Sequence, residues 1–465
     1  MNERLYVSAD ELARQREFAQ SVRAFPNRPQ TFHIVTMGCQ MNERDSETIA
    51  GMFTQMGLRP HPDRESADVI LYNTCCVREN AENKALGNVI WLKELKKARP
   101  ELLICVGGCM AQEAGMAERL KTLYPFIDLV FGTHNMHRLP EYMLRVLESR
   151  SPVVEVEQGD GVIAEGLPER RSSAFSAFVN IMYGCNNFCS YCIVPYVRGR
   201  ERSREPEAVL EECARLIDRG VKEITLLGQN VNSYRGGGGE FARLLARIDA
   251  LGVERIRFMT SHPKDLSDEL IAAYGELEHL MPHLHLPVQA GNDDILRAMN
   301  RRYTRSRYLE LIKRLRSVRP DIGITTDIIV GFPGETQSQF EDTLSLVREA
   351  RYDSAFTFIY SKRTGTKAAL LPDDTPAQVK SERIQRLIAL QTEISGEILA
   401  QRVGGRERVL VESVSARDAG WVGGKTPRGH MVNFPGNADL IGQLVDVEID
   451  SAGKNTLRGR MITEV

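Results

Sequence analysis

Cys185, Cys189 and Cys192 stand within eight positions of one another, spaced C-x3-C-x2-C in the run Tyr183-Gly184-Cys185-Asn186-Asn187-Phe188-Cys189-Ser190-Tyr191-Cys192. Thiolates are the ligands of iron–sulfur clusters, and a four-iron cubane usually takes four of them. Three on one short loop leave one iron open to a small molecule, and that iron is where chemistry is expected. Buried or disulfide-linked cysteines are the competing reading, but three thiols this close crowd ordinary core packing.

Three further cysteines each end a strand-like segment. Cys39 closes Ile34-Val35-Thr36-Met37-Gly38-Cys39, Cys75 closes Leu71-Tyr72-Asn73-Thr74-Cys75, and Cys109 closes Val106-Gly107-Gly108-Cys109; they lie 36 and 34 positions apart. That interval is about one strand–helix repeat. If the strands pair in a parallel sheet, the three thiols meet at one edge, where α/β proteins build their sites. The neighbouring glycines let backbone approach a bulky cluster, and their amides offset its negative charge. A second three-cysteine site follows, in competition with single buried cysteines at strand ends. Cys76 sits beside Cys75 and is the one residue that could exchange with it. Cys105 falls within a strand and Cys213 within a helical run.

The elements that must position these thiols alternate. Phe32 to Thr36, Val69 to Tyr72, Leu102 to Val106 and Leu129 to Phe131 read as short apolar strands, with helices such as Glu43 to Gly57 and Asn80 to Ala98 between them. The pattern predicts an α/β fold, with a doubly wound parallel domain over residues 31–148. Residues 1–30 read as a polar extension, and about 150–172 as a linker. A second series over 171–401 has six strand candidates: Phe178 to Tyr183, Glu223 to Leu227, Ile256 to Thr260, His283 to Val288, Ile322 to Val330 and Ala355 to Tyr360. Six βα units predict a partial (β/α)6 barrel with its site at the C-terminal ends of the strands, and the C-x3-C-x2-C loop follows the first strand. Residues 402–465 show short strands between Gly, Asn and Pro turns, as in a small all-β barrel.

Composition narrows the setting. The chain has 465 residues, 42% of them hydrophobic, which is enough for several cores. Its nine cysteines are clustered rather than arranged as an even disulfide framework, and Asn2, Glu3, Arg4 and Leu5 do not start a secretory pattern, so a reducing cytoplasm is expected. No apolar run approaches the roughly 20 residues that a spanning helix needs. A net charge of −2 is not that of a global nucleic-acid binder, so any RNA contact must come from local patches.

The loop spacing, with an aromatic just before the last cysteine, resembles the radical S-adenosylmethionine (SAM) superfamily, and the order of regions resembles its methylthiotransferases over nearly the whole chain after residue 30. Gly38-Cys39-Gln40-Met41-Asn42, Asn73-Thr74-Cys75-Cys76-Val77-Arg78-Glu79, Leu227-Gly228-Gln229-Asn230-Val231-Asn232-Ser233-Tyr234 and Thr260-Ser261-His262-Pro263-Lys264-Asp265 are similar to the branch acting on N6-isopentenyladenosine in tRNA. Gly424-Lys425-Thr426 and Val432-Asn433-Phe434 mark a looser match to a TRAM domain. Ser361-Lys362-Arg363-Thr364-Gly365-Thr366 departs from the proline-bearing form more usual in the family.

The resemblance implies two 4Fe-4S clusters, one on Cys185, Cys189 and Cys192 and an auxiliary one on Cys39, Cys75 and Cys109. It also implies one SAM as radical source, a second as methyl donor, and a methylthio group placed on C2 of N6-isopentenyladenosine at position 37 of tRNA. An aspartate of a ribosomal protein is the alternative substrate; a non-catalytic iron–sulfur RNA-binding protein is the alternative outside enzymes. Cofactor contacts are expected from Tyr191 against the adenine, from Gly228, Gln229 and Asn230 near the methionine amine, from Gln289, and from the loop Gly331, Phe332, Pro333 and Gly334. Such a Gly-Pro loop is otherwise an ordinary turn. Arg198, Arg200, Arg202 and Arg204, with Arg301 and Arg302, are the candidate phosphate contacts, against the reading of solvated charged faces. His262, His283 and His285 are read as hydrogen-bonded core residues. A separate electron donor protein, no membrane and a monomeric state complete the expectation.

Overall fold

The computed structural model of the chain describes residues 5–76, 79–416, 418 and 420–462; Asn2 to Arg4, and Val77 and Arg78 of the second cysteine motif, lie outside the described residues. The N-terminal region is a six-stranded parallel sheet. Arg59–Pro60 lies at one edge, followed by Thr31–Thr36, Val69–Thr74, Leu103–Gly108, Leu129–Phe131 and Val153–Glu155. Val153–Glu155 comes from the stretch read as linker, and both edge strands are too short to carry a pattern of their own. The three strands that precede Cys39, Cys75 and Cys109 are immediate neighbours, in register through Thr36 opposite Asn73 and Asn73 opposite Gly107. Helices cover both faces: Gln40–Gln55 and Leu139–Ser149 bury Phe53 and Tyr142 on one, and Glu79–Ala98 and Met116–Leu123 bury Val89 and Leu120 on the other.

The first thirty residues are more than an extension. Ser8 caps a helix, Ala9–Ala24, whose Gln15, Ala19 and Val22 are buried, and Gln15 donates to Glu141 in the helix Leu139–Ser149 at 3.2 Å. Only these few buried positions break an otherwise polar sequence, so its periodicity is faint.

The central region carries six parallel strands in chain order: Ser176–Asn180, Glu223–Leu227, Arg255–Phe258, His283–His285, Gly323–Val330 and Ser354–Ile359. Among the described residues they form two three-stranded sheets, with one isolated bridge, Ile256 to Leu280, between the third strand and the approach to the fourth. The fourth strand is the reason. It is flanked by Pro282 and Pro287, which have no N–H to give to a ladder, and only four residues remain between, three of them in the strand. The result is an open, partial barrel around a core of Val179, Ile224, Leu284, Ile324 and Ile328.

Residues 406–461 close into a five-stranded antiparallel-rich barrel. It is fixed to the central region by buried charge: Arg257 donates to the carbonyls of Thr426 and Pro427 at 2.8 and 3.0 Å, while Asp353 takes Arg428 at 2.6 Å and His430 at 2.8 Å. Burial works against the Asp353 charge, yet the hydrogen bond from His430 and the Arg428 guanidinium hold its carboxyl below the ordinary range. A depressed carboxyl adds stability above its unfolded pKa and loses it as pH falls through the folded value. Asp353→Ala is expected to cost about 3–5 kcal/mol at neutral pH by leaving buried cations unpaired. Denaturant unfolding measures it; a loss under about 1 kcal/mol would contradict this account of the contact. Among the described residues no helix is long and apolar enough to cross a membrane.

Candidate active site with two cysteine triads

The loop after the first central strand is held from several sides. Gly184 N–H donates to the Gln229 side-chain oxygen, Cys185 N–H donates to the Gly199 carbonyl at 3.0 Å, and Ser190 N–H donates to the Met299 carbonyl at 3.0 Å. Asn300 donates to the carbonyls of Asn187 and Phe188 at 3.1 and 2.9 Å. Gly184 has φ +75°, and a Cβ there would stand 2.0 Å from the Arg200 carbonyl oxygen, so only glycine fits. Cys185 and Cys189 are buried and Cys192 is half-buried.

At the rim, Gln229 thus supports the cysteine loop itself, and Asn230 donates to Asp265 at 2.7 Å. Tyr191 is half-buried against the core, and burial pushes its hydroxyl well up. Gln289 adopts φ +73° where the fourth strand ends, its N–H on the Asp327 carbonyl at 2.9 Å. Gly331 N–H donates to Glu335 at 2.7 Å, and Glu335 pairs with Arg383 at 2.9 Å, which stiffens the Gly331 to Gly334 loop. The Phe332 side chain is fully buried and packs on Tyr360 at 5.3 Å, so its ring supports the loop from the core and leaves cofactor contact at this position to the backbone. Gly334 is exposed; Gly228, Gly331 and Pro333 are buried.

In the N-terminal sheet, Cys39 caps the helix Gln40–Gln55, Cys75 follows its strand directly, and Cys109 opens the short helix Cys109–Gln112. Asn42 ties the three segments together: its amide donates to the carbonyls of Met37 and Thr74 at 2.8 and 2.9 Å, and its oxygen faces Cys109 Sγ at 3.8 Å. Asn73 answers by donating to the Asn42 carbonyl at 2.8 Å. Gly38, at φ +115°, would place a Cβ 2.6 Å from Cys75 Cβ and 2.9 Å from its Sγ. Any side chain would therefore fill the space between the first and second cysteines. Cys76 lies in the same hydrophobic cluster as Cys109, Val106 and Met110, and burial, with Cys109 and Cys75 close by, pushes its thiol well up.

Both triads fit a thiolate-bound cluster in their donor chemistry. Burial pushes Cys185 to about 11 and Cys109 to about 12, so both stay protonated at neutral pH unless a metal supplies compensating charge. Among the described residues no three His, Cys, Asp or Glu side chains close round a single metal ion, and no disulfide joins the nine cysteines. A cubane spreads its irons over four corners, and its thiolates stand correspondingly farther apart than those of one ion.

Four of the six arginines read as phosphate contacts are buried and engaged within the protein. Arg198 donates to Cys109 Sγ, Asn42 and Asp45; Arg202 donates to the carbonyls of Arg200 and Arg198; Arg204 pairs with Glu165 and Glu212; Arg301 donates to Pro287, Tyr303 and Cys189 Sγ. They do not reach a phosphate backbone. Clustered guanidiniums in a sequence do not distinguish a basic face from a buried ion-pair network whose acids come from elsewhere in the chain. Arg200 and Arg302 are exposed, and Arg200 lies over the Phe188 ring at 5.3 Å. Asn42 and Asn73 lay inside the quoted motifs without a role. Asp45 and Tyr303 carried no sequence signal.

Three family profiles match in the same order as these regions: Uncharacterized protein family UPF0004 over residues 31–132, Radical SAM superfamily over 179–347 and TRAM domain over 400–462. Among solved structures, the radical S-adenosylmethionine methyltransferase TsrM from Kitasatospora setae, with cobalamin and a [4Fe-4S] cluster bound, shares the fold. It is 14% identical, with a TM-score of 0.51, covering 84% of this chain and 81% of that one. Among curated proteins, tRNA-2-methylthio-N(6)-dimethylallyladenosine synthase from Thermoanaerobacter sp. (strain X514) is 50% identical over 464 residues, covering 98% of each chain. The protein of that name from Clostridium botulinum (strain Okra / Type B1) is 51% identical over 436 residues, covering 93% of this chain and 97% of its own. Half-identity over almost the entire length, with all three family profiles in order, places the chain in the tRNA-2-methylthio-N(6)-dimethylallyladenosine synthase family of radical SAM enzymes.

Proposed function

We propose that the protein places a methylthio group on C2 of N6-isopentenyladenosine at position 37 of tRNA, using one SAM as radical source and another as methyl donor. The observation that carries this reading is the full-length similarity to synthases of that name. When bound, the SAM-ligating cluster supplies a radical able to take an unactivated aromatic hydrogen, and the auxiliary cluster supplies sulfur. The chain's own part is placement and exclusion of water. Gln229, Met299 and Asn300 hold the cysteine loop in one conformation, and Glu335 with Arg383 does the same for the Gly331 to Gly334 loop. Arg198 joins the region of the first loop to the edge carrying Cys39, Cys75 and Cys109, so the two triads belong to one packed unit. Cys39, Cys75 and Cys109 as ligands of a second cluster, a separate electron donor protein, a cytoplasmic setting and action as a monomer belong to the same reading.

Reconstituted protein incubated with SAM, a strong reductant and tRNA carrying isopentenyladenosine is expected to give that nucleoside a methylthio mass gain. No gain with that tRNA, together with a gain on a ribosomal protein, overturns the substrate. For RNA contact, Arg200 and Arg302 replace the longer set read from the sequence. Substituting both by alanine should weaken tRNA binding several-fold and lower the salt slope of log K by about 1–2. Unchanged affinity at two salt concentrations removes them from the interface.

A further inference from the structure

Two buried arginines are aimed at cysteine sulfur, one in each triad. Arg301 donates from Nη1 to Cys189 Sγ at 3.5 Å, and Arg198 from Nε to Cys109 Sγ at 3.1 Å. Their exposures are 7% and 6%, so neither charge is screened by water. Hydrogen bonds to ligand sulfur and nearby charge are among the levers by which a protein sets a cluster's reduction potential.

The surroundings of the two guanidiniums differ. Arg301 is held by the Tyr303 hydroxyl at 2.9 Å and the Pro287 carbonyl at 2.6 Å, both neutral, and among the described residues no carboxylate lies within ion-pairing distance of it. Its charge is left to act on the nearest sulfur. Arg198 instead donates to the Asp45 carboxylate at 2.6 Å and to the Asn42 oxygen at 2.8 Å, and Asp45 is itself only 5% exposed. There the charges cancel, and the sulfur receives an N–H with little net field. Reduction adds a negative charge to a cluster, which an uncompensated neighbouring cation stabilises and a neutral ion pair does not.

We propose that Arg301 and Arg198 are positioning residues that grade the two sites in redox potential. The unneutralised Arg301 makes the Cys185, Cys189 and Cys192 site the easier to reduce, and Asp45 keeps the Cys39, Cys75 and Cys109 site the harder. One electron from a low-potential donor then goes to the cluster that cleaves SAM rather than to the cluster that holds sulfur. The Arg198 half rests on the reading of the second triad as a cluster site.

Redox titration of the reconstituted full-length protein, followed by electron paramagnetic resonance with iron counted on the same samples, tests the grading. Arg301→Gln is expected to move the first site's midpoint to a more negative potential. The reduced-to-oxidised ratio at a fixed poise should fall about tenfold, which for one electron is about 59 mV. Arg301→Lys, which keeps the charge, should stay near the wild-type midpoint. Asp45→Asn should move the auxiliary midpoint to a more positive potential and leave the first unmoved. Equal midpoints in wild type and Arg301→Gln, or a lysine variant shifted as far as glutamine, overturn the proposal. If Arg301→Gln does not hold iron, Asp45→Asn decides alone, and unmoved midpoints overturn it. Wild-type protein with iron for one cluster removes the second-cluster reading and the Arg198 half together, while the Arg301 comparison still stands.

Discussion

Alanine at Cys185, Cys189 or Cys192 is expected to abolish 5'-deoxyadenosine formation and, with it, every trace of methylthio product. Loss of an outer-shell partner at a metal site commonly costs 10–100-fold, and loss of a ligand from a site that has only three should cost more. The loop around these residues is fixed by Gly184, Asn300 and Met299 independently of the thiols, so the polypeptide should fold and the defect should be local. Iron should fall by about half, because the other triad is untouched on this account. SAM cleavage at wild-type rate in any of the three variants would remove the loop from the chemistry.

Cys75→Ala separates the two triads in the other direction. It too should halve the iron, but 5'-deoxyadenosine should still form, uncoupled from product, while methylthio transfer is lost. Cys76→Ala is the control. The Cys76 thiol is buried in the core, and burial together with the neighbouring Cys109 and Cys75 pushes it well above its ordinary range, so this variant should keep both clusters and its activity at a stability cost of about 1 kcal/mol. If Cys76→Ala loses half the iron and Cys75→Ala keeps it all, the two neighbours exchange roles.

Much of this was legible in the sequence because the signals are local. A strand ending in a cysteine recurs three times in the N-terminal region, twice across a glycine, and a parallel sheet must bring adjacent strand ends together. Val69 to Tyr72 is a continuous apolar run that leads into Cys75, and the strand Val69–Thr74 is buried along its whole length. What could not be read depended on partners distant in the chain. Arg198 looked like one member of a basic run, and only folding brings Asp45 and Asn42, more than 150 positions earlier, onto its guanidinium. Arg301 was read as a phosphate contact because the turn that folds it back onto Pro287 and Tyr303, though local, left no mark in the sequence. The inward turn of the Phe332 side chain was equally hidden, since a motif gives the position of a loop and not which of its side chains faces the core. The helix Ala9–Ala24 was missed because it buries a glutamine, an alanine and a valine rather than an apolar stripe.

The central claim is that one chain couples radical formation to sulfur insertion on an isopentenylated tRNA. The most direct measurement supplies SAM carrying a labelled methyl group to the reconstituted, reduced protein and tRNA bearing isopentenyladenosine, and counts 5'-deoxyadenosine and labelled methylthio-nucleoside in the same reaction. Equal amounts of the two, with the label in the methylthio group, are the predicted result. Labelled methyl on the tRNA without added sulfur, or 5'-deoxyadenosine with no modified nucleoside from the wild-type protein holding both clusters, would contradict it.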